Sequence, residues 1–318
     1  MTTQKFNIAN TFGVNANPAA SITGMADAGH IRIPVRKDNY IFDLDTLRPV
    51  LAFLASPRGD GMYLTGPTGA GKTSLVEQVA ARLNWPVQAI TCTGTKEFND
   101  LVGRHYLAGG NMEYIHHPLS LAVRDGHLLI MNEIDAMDPA ELMGLFDIIE
   151  GKPLVIPENG GEAIKPHPMF RLFATGNSAG AGDDSGLYQG VRRQNLAFLD
   201  RFRMVEIGYP KPELEEKLLA RFFPAVPQIP KNMVRMANEI RNLFVGGPDG
   251  AGELSVTMST RTLVRWANLV AAYKSGIDPL PYALSQSLTA RAKPYEREAI
   301  ERIGNDIFGQ DWRPSQHP

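Results

Sequence analysis

Apolar residues are spaced with two different rhythms in the two parts of the chain. Leu44, Leu47, Val50, Leu51 and Leu54 recur at three- and four-residue intervals, which predicts a helix over residues 40–54. Residues 61–65, Gly-Met-Tyr-Leu-Thr, form a short apolar run after a glycine and read as a buried strand. A glycine-rich turn and a helix over 74–83 follow. Further short apolar runs at 87–90, 128–131, 170–174 and 204–207 are separated by helical patterns. Strands alternating with helices predict a parallel sheet with crossover helices.

Beyond Pro210 the short apolar runs disappear. Residues 211–223, 231–245, 260–275, 282–291 and 295–308 all read as helices. The chain therefore divides into an N-terminal arm (1–37), an α/β domain (38–208) and a smaller all-helical domain (209–318). The glycine cluster at 246–252 reads as a mobile loop between two of the helices.

At 318 residues, two domains of unequal size are expected. A formal net charge of −2 argues against a protein built mainly to hold nucleic acid. The single Cys92 excludes an intrachain disulfide framework and fits a reducing cytosol. No apolar run approaches the ~20 residues that span a bilayer, and the first residues lack the apolar core of an export signal. The expectation is a cytoplasmic protein with no membrane partner.

The strongest chemical signal is residues 66–73, Gly-Pro-Thr-Gly-Ala-Gly-Lys-Thr. They match G-x-x-x-x-G-K-[ST] without a mismatch, after a strand and before a helix. A triphosphate needs many converging backbone N–H groups, and glycine lets the backbone approach closely enough to supply them. Gly66, Pro67, Thr68, Gly69, Ala70, Gly71, Lys72, Thr73 and Ser74 are thus the phosphate-binding candidates, with the helix N-terminus adding partial positive charge. Lys72 is placed for the β- and γ-phosphates, and the Thr73 hydroxyl for Mg²⁺.

Hydrolysis also needs carboxylates at a neighbouring strand end. The run at 128–131 ends in Asn132, Glu133, Ile134 and Asp135. Glu133 suits the orientation of an attacking water. Asn132 stands where an Asp is expected; its amide can still hydrogen-bond a metal-bound water but brings no charge, which predicts weaker Mg²⁺ retention or slower turnover. Asp135 either compensates electrostatically or caps the helix starting near Pro139. Asn177, after the run at 170–174, lies at the sheet edge where ligands bind. It is either a γ-phosphate sensor or a turn residue. Arg201 is either offered to a neighbouring subunit's γ-phosphate or paired with Asp200 or Glu206. Arg261 is either a second sensor or an exposed helix-start residue.

Taken in order, phosphate loop, Asn-Glu strand end, sensor Asn, Asp-Arg-Phe (200–202) and Ser-Thr-Arg (259–261) resemble the MoxR-like branch of AAA+ ATPases. Within it, the chain is most similar to the small ATPase subunit of aerobic cobaltochelatase. Asn-Thr-Phe-Gly-Val at 10–14, Asn-Tyr-Ile-Phe-Asp at 39–43, the 79–86 stretch, Asp-Leu-Val-Gly at 100–103 and the 182–190 stretch with its Gly-Leu-Tyr carry that likeness. The fold it implies is an AAA+ P-loop parallel sheet followed by a helical lid.

The resemblance further implies an ATP hydrolase working as a homo-oligomeric ring of six, with ATP and Mg²⁺ between neighbours. An insertion at 104–118 and a β-hairpin at 154–167 would face the pore or a partner. That partner would carry a von Willebrand factor A domain, with a larger chelatase subunit binding the tetrapyrrole. The hairpin also has its own signal: Val155 and Ile156, the turn Glu158-Asn-Gly-Gly161, then Ala163 and Ile164. Two other readings stay open, a nucleotide-gated scaffold with little turnover and a nucleic-acid translocase or restriction-type motor.

Several residues invite chemistry without a pattern to support it. His116 and His117 lack nearby acidic or Cys partners and read as insertion surface. Cys92 reads as a small buried residue. Arg192 and Arg193 are open between a subunit contact and a solvated pair. Trp85, Trp266 and Trp312 read as packing residues.

Overall fold

The computed structural model describes residues 2–180, 182, 190–245, 254–273 and 278–313. The glycine cluster at 246–252 and all but the end residues of the 182–190 stretch lie outside them. The chain packs as two units, Met1–Pro67 with Gly71–Ile207, and Thr68–Ala70 with Gly208–Pro318.

In the first unit the strands are β1 (Thr3–Asn7), β2 (Ser21–Met25), β3 (Gly61–Thr65), β4 (Val87–Thr91), β5 (Gly103–Ala108), β6 (Asn111–His116), β7 (Leu128–Asn132), β8 (Leu154–Ile156), β9 (Glu162–Ile164), β10 (Arg171–Gly176) and β11 (Phe202–Glu206). The central sheet has the order β11-β3-β10-β7-β4, and every neighbouring pair is parallel. Its strands read as continuous apolar runs because both faces are covered: Met62, Tyr63 and Leu64 are buried, as are Leu128, Leu129, Ile130 and Met131. The order sets β3, β10 and β7 side by side. Their carboxyl ends therefore bring Gly66, Asn177 and Asn132 to one edge.

The helix expected over 40–54 begins at Leu44, because the Asp43 carboxylate accepts from the Asp45 N–H at 3.1 Å and caps it. The helix after the phosphate loop, Lys72–Arg82, starts two residues earlier than its apolar pattern, with Gly71 as a left-handed N-cap (φ 100°). Its outer turns are fastened to the preceding chain. Gln78 Nε2 donates to Val35 O at 3.0 Å, its Oε1 accepts from Lys37 N–H at 2.8 Å, and Arg82 donates to Lys37 O at 2.9 Å.

The N-terminal arm is more ordered than its sequence predicts. β1 and β2 pair antiparallel around the short helix Ile8–Phe12, and Gly24 lies so near Leu83 that a Cβ would sit 2.4 Å from the Leu83 carbonyl oxygen. The 104–118 segment forms the antiparallel hairpin β5–β6, and 154–167 contains the hairpin β8–β9. On β5–β6 the side chains of Leu107 and Met112 are exposed.

Among the described residues the second unit contains helices and no strand: Pro212–Ala220, Gln228–Val245, Thr260–Ala272, Pro279–Ser287 and Pro294–Phe308. Trp266 and Trp312 are fully buried in its core, their indole N–H groups donating to Leu280 O and Glu301 Oε1. Glu215 and Arg241 form a buried bidentate ion pair there, at 2.7 and 2.8 Å. Among the described residues no helix is long and apolar enough to cross a membrane.

Candidate active site

The loop after β3 is shaped by its glycines. Gly66, at φ 139°, runs so close to the chain just past β11 that a Cβ would lie 2.1 Å from the Ile207 carbonyl oxygen. Gly71 has nothing within 4 Å of where a Cβ would project. The cradle is thus closed behind Gly66 and open beside Gly71, a shape that fits a phosphate chain entering at the helix N-terminus.

Lys72, at the first helical position, is only 7% exposed. Its ammonium donates to Gly66 O at 2.6 Å, Pro67 O at 3.1 Å and Asn177 Oδ1 at 3.0 Å. The Asn177 amide nitrogen in turn donates to Glu133 Oε2 at 2.6 Å. A cation, an amide and a carboxylate from three neighbouring segments are joined in one row.

Beside it runs a second row. Thr73 Oγ1 donates to Asn132 Oδ1 at 2.6 Å, and Thr175 Oγ1 approaches the same oxygen at 3.4 Å. A hydroxyl and an amide oxygen converging this way can engage the water shell of a hydrated Mg²⁺, with one negative charge fewer than an Asp would give. Thr175 was not singled out by sequence; its place two residues before Asn177, on a strand ending at the same edge, was the available signal.

Glu133 itself sits in the left-handed region (φ 54°, ψ 45°). That conformation costs a non-glycine residue about 1–2 kcal/mol and swings the backbone sharply as β7 ends. Asp135 follows in the single 3-10 turn Ile134–Ala136, fully buried. It does not cap the next helix. Asp138 does so, accepting from the Ala140 N–H at 2.9 Å. The Asp135 Oδ2 instead accepts from the backbone N–H groups of Asn177 and Ser178, at 2.9 and 3.2 Å.

Tyr63, on β3, donates its hydroxyl to Ser178 O at 3.1 Å. Burial first, then the Asp135 and Glu133 carboxylates, push its pKa far upward, so the phenol stays a donor. Burial likewise pushes the Cys92 thiol up to about 12, and this buried side chain stays a protonated thiol.

Arg201 is not joined to these rows within the chain. Its guanidinium binds Glu150 Oε1 at 3.0 and 2.8 Å, donates to Ala197 O at 2.7 Å and lies 4.0 Å over the Phe146 ring. The local partners expected from sequence, Asp200 and Glu206, are replaced by a carboxylate 51 residues away. Lys152 first, then Arg201, hold the Glu150 carboxyl below its usual range. Arg261 is exposed on the first turn of Thr260–Ala272, in the second unit. Arg192 pairs with Asp138 at 2.5 Å.

The two histidines each have protein partners. His116 faces Glu162 at 3.2 Å, and His117 contacts Asp100 O and the Tyr106 hydroxyl. Among the described residues no group of three or more His, Cys, Asp or Glu could hold a metal ion. Trp85 is buried and donates to Gly126 O.

Comparison with known proteins identifies two family matches and several relatives. Residues 61–202 match the AAA domain (dynein-related subfamily), and residues 215–307 match the CbbQ/NirQ/NorQ C-terminal domain. The aerobic cobaltochelatase subunit CobS of Sinorhizobium sp is 31% identical, over 82% of this chain and 79% of that one. NorQ of Paracoccus denitrificans is 30% identical over 82% of this chain and 91% of its own length. CbbQ of Hydrogenophilus thermoluteolus is 26% identical over 69% and 76%.

Proposed function

The chain belongs to the AAA+ ATPases of the CobS, NorQ, NirQ and CbbQ family in the MoxR-like branch, and from that premise we propose that it hydrolyses Mg·ATP in a six-membered ring to remodel or activate a partner protein. Bound Mg·ATP supplies the scissile phosphoanhydride and the counter-charge that gathers its oxygens. The backbone from Gly66 to Ser74 cradles the phosphates, and Lys72 offers its ammonium to the β- and γ-oxygens. Thr73 and Asn132 hold the hydrated metal. Glu133 orients the attacking water and accepts a hydrogen bond from it as the new P–O bond forms and the bond to the β-phosphate oxygen breaks.

Asn177 keeps Glu133 and Lys72 in register. Arg201 acts in trans, leaving Glu150 to put positive charge against the neighbour's transferring phosphoryl group. Arg261 ties the helical unit to nucleotide state, so that hydrolysis moves the insertion hairpins. The partner class we favour is a protein with a von Willebrand factor A domain; the likeness to CobS, itself a chelatase subunit, adds a large chelatase subunit as a candidate.

The observation that carries this reading is the unbroken row Lys72–Asn177–Glu133, with bonds of 3.0 and 2.6 Å. The test is steady-state phosphate release with Mg·ATP, measured on wild type, Glu133→Gln and Arg201→Ala alongside mass in solution. Turnover in an oligomer, lost in both variants, is expected. Wild-type protein with no turnover that Glu133→Gln abolishes would sink it.

One observation favours a second reading. Asn132, bonded to Thr73 where an Asp would bring charge, fits a nucleotide-gated scaffold. That reading expects tight ATP binding and ring assembly with negligible phosphate release.

A further inference from the structure

We propose that Asp135 is a positioning residue for ATP hydrolysis, a buried clamp that sets Asn177 against Glu133 and Lys72. The inference rests on the reading of this site as an ATPase centre.

β10 ends at Gly176, so the N–H groups of Asn177 and Ser178 fall beyond its ladder. Orphan donors of this kind must find another acceptor when they lie inside the protein. Asp135 Oδ2 accepts both, at 2.9 and 3.2 Å, and lies 3.4 Å from the Ser178 hydroxyl. One peptide further on, the Tyr63 hydroxyl donates to Ser178 O at 3.1 Å. The backbone at Asn177 and Ser178 is gripped through two N–H donors and, at Ser178, through its carbonyl.

The clamp has no slack. A Cβ on Gly176 would lie 2.0 Å from the Tyr63 hydroxyl and 3.0 Å from Asp135 Oδ2. Asp135 is also tied to the chain that leads toward Arg201, since its backbone oxygen accepts from the Arg192 N–H at 2.7 Å and from Gln194 Nε2 at 3.4 Å.

Only one carboxylate oxygen works. Asp135 Oδ1 is buried and has no hydrogen-bond partner among the described residues. One acceptor therefore suffices, and Asp135→Asn, which keeps one, is the conservative variant. The distinctive prediction concerns the split between binding and turnover, because the Asp135 carboxylate bonds the Asn177–Ser178 backbone that carries the sensor amide.

The experiment combines phosphate release, nucleotide titration and hydrogen exchange on full-length protein. Asp135→Ala should lower kcat about 30-fold while KM for Mg·ATP stays within about threefold, since it acts through a group that positions the water. Asp135→Asn should recover to within about fivefold of wild type, because the neutral acceptor keeps the bonds but weakens them. In an Asn177→Ala background, Asp135→Ala should add less than about twofold, the non-additivity expected of residues acting in series. Amide protection at Asn177 and Ser178 should be lost in Asp135→Ala and kept in Asp135→Asn. If alanine prevents folding, Asp135→Leu, branched at the same carbon and without an acceptor, replaces it.

Unchanged kcat in Asp135→Ala, or a loss in Asp135→Asn as deep as in Asp135→Ala, overturns the proposal. Wild type without turnover overturns the ATPase reading instead. In that case unchanged amide protection in Asp135→Ala still overturns the clamp, and lost protection restored by Asp135→Asn still supports it.

Discussion

The residues proposed for this site fall into two sets that differ in what holds them. At the carboxyl edge of the sheet, Lys72, Asn177 and Glu133 satisfy one another, as do Thr73 and Asn132, all inside one chain. Arg201 belongs to another set, with Glu150, the Ala197 carbonyl and the Phe146 ring. The first set is gathered by strand order around the buried Lys72, with Thr73, Asn132, Glu133 and Asn177 half-buried, so its geometry is fixed before any ligand arrives. The second is part-exposed, with side-chain exposures of 28% for Arg201 and 36% for Glu150, and an ion pair at that exposure is weak enough to exchange partners. A preorganised cradle and a parked cation are the division of labour expected when one subunit binds and the next completes the site.

The largest effect expected is from removing the cation of the first set. Lys72→Ala should weaken nucleotide binding at least about 100-fold, because a buried charge and three hydrogen bonds are lost together. Titration with a fluorescent ATP analogue checks it. Binding within tenfold of wild type would break the comparison, since the fixed half would then not depend on its central charge.

Asn132→Asp should have a smaller effect, in the opposite sense. A negative charge beside the Thr73 hydroxyl should lower the Mg²⁺ concentration needed for half-maximal turnover about 3- to 10-fold. An unchanged Mg²⁺ titration would remove Asn132 from the metal's surroundings. Glu150→Gln should do least. It releases Arg201 from an exposed pair, so the thermal midpoint should stay within about 2 °C and turnover should stay level or rise up to about threefold. A steep fall in turnover would mean that the Glu150 pair itself aims the arginine.

What could be read from sequence was what the chain determines locally. The phosphate loop was legible because its glycines answer local demands, such as the left-handed φ of 100° at Gly71. The central strands were legible because burial on both faces leaves continuous apolar runs. Helix and strand bounds moved by a few residues where caps decided them, as at Asp43.

Pairings across long stretches of chain were not legible. Arg201 has Asp200 beside it and Glu206 five residues on, yet its partner is Glu150, which the fold brings near through Phe146 and Phe198, two stacked rings. Asp135 and Asp138 both precede a helix, and only the structure separates the cap from the residue that grips Asn177. The arm hid β1 because Thr3, Gln4 and Lys5 are exposed, leaving no apolar alternation to read.

The most direct test of a shared site is complementation. Lys72→Ala has a working Arg201 but no working loop, and Arg201→Ala has the reverse; each alone should be inactive in phosphate release. Mixed under conditions that let rings exchange subunits, they should recover on the order of a quarter of wild-type turnover, because head-to-tail interfaces then pair an intact loop with an intact arginine. A mixture as inactive as its components, in rings shown by mass to contain both variants, would contradict the account.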